Sequence, residues 1–490
     1  MNQALIRHAI RMLLAAAGLS SGLAQAAAAA DAAAARALAR IEHIVVIYGE
    51  NRSFDNLYGL FPGARGIGDA LRHYVPQVDL DGAVLATLPP VWNKTGQADV
   101  GYPANLPNLP FRIDAPPLDK PLDVPTRDLV HRFYQNQMQI HGGRNDRFAA
   151  LSDAGGLALG YYDGARLPLW RLAREYTLAD NFFMGAFGGS FLNHFWLICA
   201  CTPEFKGAPE ALKAKLRPDG ELARKPPAPA SALDGPTKFQ DGAVTPDGYA
   251  VNTLQPPYQP SGIAPAANGD PALADPAGHP LPPQTSPTIG DRLSAKGISW
   301  AWYGGGWNQA LTNRAVIYND AKVNFQPHHQ PFNYFRQFAP GTNARAEHLK
   351  DGAEFLRAIE AGRLPQVSFY KPQGDLNEHP GYADVLSGDE HIADLVRRIR
   401  RGKLWKNTLI IITYDENGGF WDHVPPPAGD RWGPGTRIPA LIISPFARRG
   451  HVDHSLYDTT SILKLITRRF ALEPLPGVRS EVGDLTDALR

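Results

Sequence analysis

Three short stretches of this 490-residue chain carry side chains able to do chemistry. Glu50-Asn51-Arg52-Ser53-Phe54-Asp55 follows the apolar run Ile44 to Ile47, and Asp415-Glu416-Asn417-Gly418-Gly419 follows Leu409 to Tyr414. Carboxylates gathered in one place repel each other, and a divalent cation relieves the repulsion. Either stretch alone reads better as a turn, because Asp, Asn and Gly favour turns. Two of them at one sheet edge point to a metal site. The third stretch, Phe187-Gly188-Gly189-Ser190-Phe191-Leu192-Asn193-His194, puts a serine at the start of an apolar run. Such a serine is either a helix N-cap or a nucleophile whose hydroxyl a bound metal activates. The chain has no G-x-S-x-G elbow, which argues against a Ser-His-Asp hydrolase.

Histidine adds donors and proton carriers. His131, His141, His328, His329, His379 and His423 stand in polar surroundings. Imidazole can donate to an anionic oxygen or protonate a leaving alkoxide, although each of these residues also fits a structural or surface role. Asp375 and His379 form a D-x-x-x-H pair that could hold a second metal. Cys199 and Cys201, with one residue between them, are expected to be two small buried side chains, since a bridge over so short a loop is strained.

These groups need a scaffold. Ile44 to Ile47, Ile298 to Tyr303, Val367 to Tyr370, Leu409 to Tyr414 and Ala440 to Ser444 read as buried parallel strands. His391 to Arg401 and Asp458 to Phe470 show helical periodicity with one apolar face. Strands alternating with helices predict an α/β fold around a mostly parallel central sheet. Residues 62–125 and 203–287 are rich in Pro, Gly and Asp and read as loop insertions in one catalytic domain, 41–490. The chain has 47 Gly and 44 Pro in total, consistent with much irregular backbone.

At the N-terminus, Arg7 and Arg11 precede an apolar run and Ala24-Gln25-Ala26, the pattern of a signal peptide over residues 1–26. An Ala-rich linker, 27–40, is expected to follow, and the protein is expected in the periplasm or outside the cell. The formal net charge of +1 gives no bulk field for nucleic acid or anionic membrane, and no nucleic-acid motif occurs. No later apolar stretch is long enough for stable membrane insertion. Oligomeric state leaves no mark in the sequence.

Glu50 to Asp55, Gly189 to His194 and the long run Tyr414 to Pro427 together resemble the bacterial phospholipase C and acid phosphatase family of phosphoesterases, within the alkaline phosphatase superfamily. The resemblance spans about residues 41 to 470. It implies a mostly parallel sheet sandwiched by helices and one divalent metal ion, whose identity is open among Ca²⁺, Mg²⁺, Mn²⁺ and others. By position, Glu50, Asn51, Asp415 and Glu416 resemble the metal ligands, and Ser190 resembles the nucleophile that also contacts the metal. Asn193, His131, His379 and one of His328 or His329 resemble the groups around the phosphoryl, with His141 the rival of His131. His379 is expected to protonate the leaving oxygen.

The stretch Gly-Ser-Phe-Leu-Asn-His is closer to the acid phosphatase branch, since phospholipases of the family carry Pro-Thr-x-Pro-Asn-Arg and append C-terminal β domains. The expected function is therefore a secreted acid phosphatase hydrolysing small phosphomonoesters through a phosphoserine. The alternative is a phospholipase C acting on phosphatidylcholine-like diesters. A reading from another class is a secreted binding protein without turnover, against which the intact set of five metal-site residues weighs.

Overall fold

Successive side chains of a strand point to opposite faces, and the sheet is covered on both sides. In the computed structural model, which describes residues 32–319 and 323–490, Ile44, Val46 and Tyr48 face one hydrophobic core while Val45 and Ile47 face another. The strands are β1 (His43–Gly49), β2 (Thr177–Ala179), β3 (Trp300–Gly304), β4 (Leu349–Asp351), β5 (Val367–Lys371), β6 (Thr408–Tyr414), β7 (Ala440–Ile443) and β8 (His451–Asp453). They form one sheet in the order β8-β2-β7-β6-β1-β5-β3-β4. Only β7 runs against its neighbours, being antiparallel to both β6 and β2, and every other pairing is parallel. A parallel return needs a long crossover, usually helical, and residues 415–439 contain no helix. The expected parallel strand at Ala440 to Ser444 is thus corrected in direction.

Five helices cover the two faces: α1 (Pro168–Glu175), α2 (Ser190–Cys199), α3 (Gly352–Ala361), α4 (Val385–Arg401) and α5 (Thr459–Phe470). Trp170 of α1, Phe355 of α3 and Ile392, Leu395 and Val396 of α4 join Val45 and Ile47. Leu192 and Phe195 of α2, with Ile462 and Ile466 of α5, join Ile44 and Val46. Helix α4 starts six residues before the expected His391, because Asp384 accepts the Ser387 N–H at 2.7 Å and caps it there. The three-residue strands β2, β4 and β8 are too short to show a period and escape the sequence.

The signal-peptide stretch lies outside the described residues. Residues 32–39 of the expected linker are helical, and Ala37 and Leu38 are buried in the same core as Ile41. This part belongs to the fold because its apolar side chains have a core to enter. Within 203–287 the only helical pieces among the described residues are turns at Glu210–Leu212 and Pro276–Gly278. Cys199 and Cys201 are disulfide-bonded, contrary to the expectation of two separate thiols. Ala200 takes a left-handed conformation (φ 47°) at the end of α2 and turns the chain so that the two Cα atoms lie 5.1 Å apart, within reach of a bridge. Among the described residues, no helix is long and apolar enough to cross a membrane.

Candidate metal and phosphoryl site

Parallel strands place their C-terminal ends at one edge, where open α/β sheets keep ligand sites. Gly49 of β1 lies opposite Tyr414 of β6, so Glu50-Asn51 and Asp415-Glu416 leave the sheet side by side. Asn51 is left-handed (φ 60°), a conformation Asn tolerates better than most residues, and its N–H donates to Asp415 Oδ1 at 3.0 Å. Gly418 (φ 61°) brings the second loop so close that a Cβ there would sit 2.3 Å from Asn51 O. Only glycine fits that approach.

Each of the three carboxylates has one oxygen closely held and one that meets a cationic group only at longer range: Asp415 Oδ2 lies 3.5 Å from Lys371 Nζ, Glu416 Oε1 3.8 Å from His131 Nε2 and Glu50 Oε2 3.8 Å from His379 Nε2. Asp415 Oδ1 also accepts the Glu416 N–H at 2.8 Å, and Glu416 Oε2 accepts the Gly418 N–H at 2.6 Å. Glu50 Oε1 is ion-paired to Lys371 Nζ at 2.7 Å and to His329 Nε2 at 2.5 Å. The second oxygens, Glu50 Oε2, Asp415 Oδ2 and Glu416 Oε1, are buried without a hydrogen-bond partner. Unpaired buried carboxylate oxygens are costly, and a set of hard oxygen donors suits a divalent cation. The residues therefore fit a metal ion.

Electrostatics agree. Burial pushes the Asp415 carboxyl up to about 6, helped by the charge on Glu50. Burial also raises Glu416 well above the usual range, more than nearby His131 can offset. For Glu50, burial works upward but His329 and Lys371 prevail and hold its carboxyl well below that range. Burial opposes a charge on His131, yet Glu416 and Asp128 outweigh it and raise the imidazole to about 9. Burial lowers His194, His328 and His329.

Ser190 is the first residue of α2, and Gly189 is its N-cap, which corrects the N-cap alternative. The Ser190 hydroxyl instead donates to Asn51 Oδ1 at 3.3 Å. Gly188 (φ +91°) lets the loop ride against the next segment, where a Cβ would stand 2.5 Å from Phe133 N. Asn193, expected beside the phosphoryl, donates from Nδ2 to Ala186 O at 3.1 Å and Gly189 O at 3.2 Å, and its Oδ1 accepts from Ala186 N–H at 2.9 Å. With both amide protons and the oxygen engaged, it braces the loop that presents Ser190.

The histidines divide by what their Nδ1 meets. His131 and His379 each donate Nδ1–H to a backbone carbonyl, Leu129 O and Pro380 O, both at 2.5 Å. That orients both rings and turns Nε2 toward Asn51 Nδ2, at 3.5 and 3.0 Å. His328 lines the cleft, with Nδ1 buried and unpartnered, whereas His329 faces Glu50. His141 pairs with Asp146 at 2.6 Å and does not line the cleft. Asp375 accepts from Gln373 at 2.8 Å, and the acid grouped with His379 is Asp128.

Lys371 escaped the sequence reading. It is fully buried at the end of β5, and its Nζ reaches Gly49 O at 3.1 Å as well as Glu50. A lone lysine closing the apolar run Val367 to Tyr370 was the signal. Above the site opens a cleft of about 370 Å³ lined by Ser190, His131, His328 and His379, with Tyr382 on one wall and Asn252 from the 203–287 loops on another.

A family model described as the Phosphoesterase family matches residues 41–473. Phospholipase C B of Mycobacterium tuberculosis is 27% identical over an alignment covering 92% of this chain and 77% of that protein. Non-hemolytic phospholipase C of Pseudomonas aeruginosa is 24% identical, with coverage of 92% and 57%. Among solved structures, a protein in the alkaline phosphatase superfamily from Vibrio parahaemolyticus is similar at a TM-score of 0.32 and 12% identity, covering 76% of this chain and 72% of its own. The chain belongs to the phosphoesterase family and is a hydrolase acting on phosphoester bonds.

Proposed function

We propose that the protein is a metal-dependent phosphodiesterase of the phospholipase C type, with Ser190 as nucleophile. The observation that carries the chemistry is three buried carboxylate oxygens without hydrogen bonds in the two loops at one sheet edge, where Asn51 bonds both Asp415 and the Ser190 hydroxyl. The preference for a diester over the expected monoester rests on relatives named phospholipases C that align with nearly the whole chain. A cleft wider than one phosphoryl group is compatible with alcohols on both sides of phosphorus. The Gly-Ser-Phe-Leu-Asn-His stretch, which favours an acid phosphatase, keeps the monoesterase as the second reading.

Glu50, Asn51, Asp415, Glu416 and Ser190 would hold the ion. Bound there, a divalent metal supplies Lewis-acid activation of the serine hydroxyl and neutralises phosphoryl charge. Ser190 Oγ gives its proton up to water and forms the bond to phosphorus as the bond to the leaving alcohol breaks. His379, its Nδ1–H held by Pro380 O, presents Nε2 to carry a proton to the departing oxygen. His131 and His328 donate hydrogen bonds to the phosphoryl oxygens, where charge grows in the transition state. Water then cleaves the phosphoserine, restoring the hydroxyl. Asn193 holds the loop, and His329 with Lys371 holds Glu50. Export rests on the Arg7 to Ala26 pattern alone.

The test compares p-nitrophenyl phosphorylcholine with p-nitrophenyl phosphate, with and without chelator. The diester should be preferred at least about tenfold in kcat/KM, and chelation should abolish turnover. A monoester preference returns the acid phosphatase reading, and full activity after exhaustive chelation refutes the metal.

A further inference from the structure

Single exposed aliphatic side chains are ordinary, but a concentration of them marks a contact surface. Of the eleven large hydrophobic side chains exposed among the described residues, six fall within 62–125: Leu71, Val75, Val84, Val100, Leu109 and Val124. Val100 is 100% exposed and Val84 66%, so neither supports the core. Their loops are anchored. Asn108 donates to Gln77 O at 2.9 Å and Leu85 O at 2.8 Å beneath Val84. Asp79 donates its N–H to Ala83 O at 2.7 Å, while its side chain accepts from Ala232 N–H at 2.8 Å. That junction ties the turn preceding Val84 to the turn that carries exposed Leu233 of the second loop region. Lys120 lies over the Tyr102 ring at 4.6 Å and ties the Val100 turn to the segment leading to Val124.

The chain runs from this region directly to the cleft wall that begins at Asp128. Thr126 O accepts the Gly381 N–H at 2.7 Å, two residues from His379, and Arg127 bonds both Trp92 O and the cleft-lining Asp153. Its charge is unsuited to an anionic surface, with five Lys and Arg against seven Asp within 62–125. We propose that the 62–125 loops, joined by the turn at Leu233, are the surface that seats the protein on a zwitterionic lipid bilayer, with Val84 and Val100 as inserting side chains. The proposal rests on the phospholipase reading and adds to it how the substrate interface is reached. Apolar insertion without electrostatic attraction suits a phosphatidylcholine surface, and an anchored loop inserts without the entropy cost of ordering.

The experiment uses the full chain carrying S190A, so that lipid is not consumed, in sedimentation with sucrose-loaded phosphatidylcholine or phosphatidylglycerol vesicles. Adding V84D and V100D should lower the partition onto phosphatidylcholine about tenfold or more. Equal partition of parent and variant overturns the proposal, as does binding confined to phosphatidylglycerol. With Ser190 intact, V84D/V100D should hydrolyse monomeric p-nitrophenyl phosphorylcholine at the wild-type rate, and a matching loss on that soluble ester also overturns it. If the wild-type chain cleaves no choline ester, the phospholipase reading fails, while sedimentation still decides the surface.

Discussion

Two buried clusters grow from the same two motifs and contain the same kinds of residue, yet one is closed and the other is not. Asp55, Asp422, His423 and Arg437 form the first. Arg437 donates to Asp55 at 3.0 Å and Asp422 at 2.9 Å, His423 pairs with Asp55 at 2.6 Å, and Asp422 also takes the Asp55 and Val424 N–H groups. None of these side chains has an orphaned buried atom. Glu50, Asp415, Glu416 and Lys371 form the second cluster, only five to seven residues away along each motif, and there three carboxylate oxygens lack hydrogen bonds and meet cationic groups only at 3.5 to 3.8 Å. Charge type does not separate a structural network from a functional one. Satisfaction does, because a fully paired buried charge has nothing left to offer a ligand.

The contrast can be broken from either side. Ser190→Ala should cut kcat by at least about a thousandfold with an unchanged melting temperature, since it removes the bond-forming atom and no core contact. Near-wild-type turnover would remove Ser190 from the mechanism. Asp415→Asn should lower both bound metal, read by elemental analysis, and kcat, by about a hundredfold. Full metal content with full activity would move the ion elsewhere. Arg437→Met, in the closed cluster, should cost about 3–5 kcal/mol in urea unfolding and leave kcat/KM of the folded protein within about threefold. A catalytic loss without destabilisation would erase the distinction between the clusters.

Lys371→Met tests the boundary. In chelator it should melt below wild type, at a cost of about 2 kcal/mol, because Glu50 loses its ammonium partner. Divalent metal should narrow the gap, whereas a gap indifferent to metal would assign Lys371 to the scaffold. The smallest effect is a pH dependence. Burial opposes a charge on His423, but Asp55 prevails and raises its pKa. Its stabilisation is therefore complete below the ordinary value of about 6.5 and fades as pH rises through the folded one. The difference in melting temperature between wild type and His423→Gln should shrink from pH 6 to pH 9, and a widening difference would contradict the ion pair.

Much of the scaffold is visible in local patterns. The apolar runs at Ile44, Val367 and Leu409 are strands because continuous apolar residues suit a sheet covered on both faces. The direction of β7 is not visible, since it depends on how residues 415–439 return. The start of α4 was hidden by Ser387, Asp389 and Glu390, polar residues that the Asp384 cap and packing carry into the helix. The bonds from the Asn193 amide to Ala186 O and Gly189 O depend on a loop that no spacing rule describes.

Residue types and their order along the chain were sufficient for an α/β scaffold, two acidic loops at strand ends and a serine opening a helix, because periodicity and turn chemistry act over a few residues. Only tertiary contacts, between groups hundreds of residues apart, left particular oxygens without hydrogen bonds, brought Lys371 under Glu50 and chose which histidines face the cleft. Hydrogen-bond satisfaction is a property of the packed state, and a list of residues does not contain it.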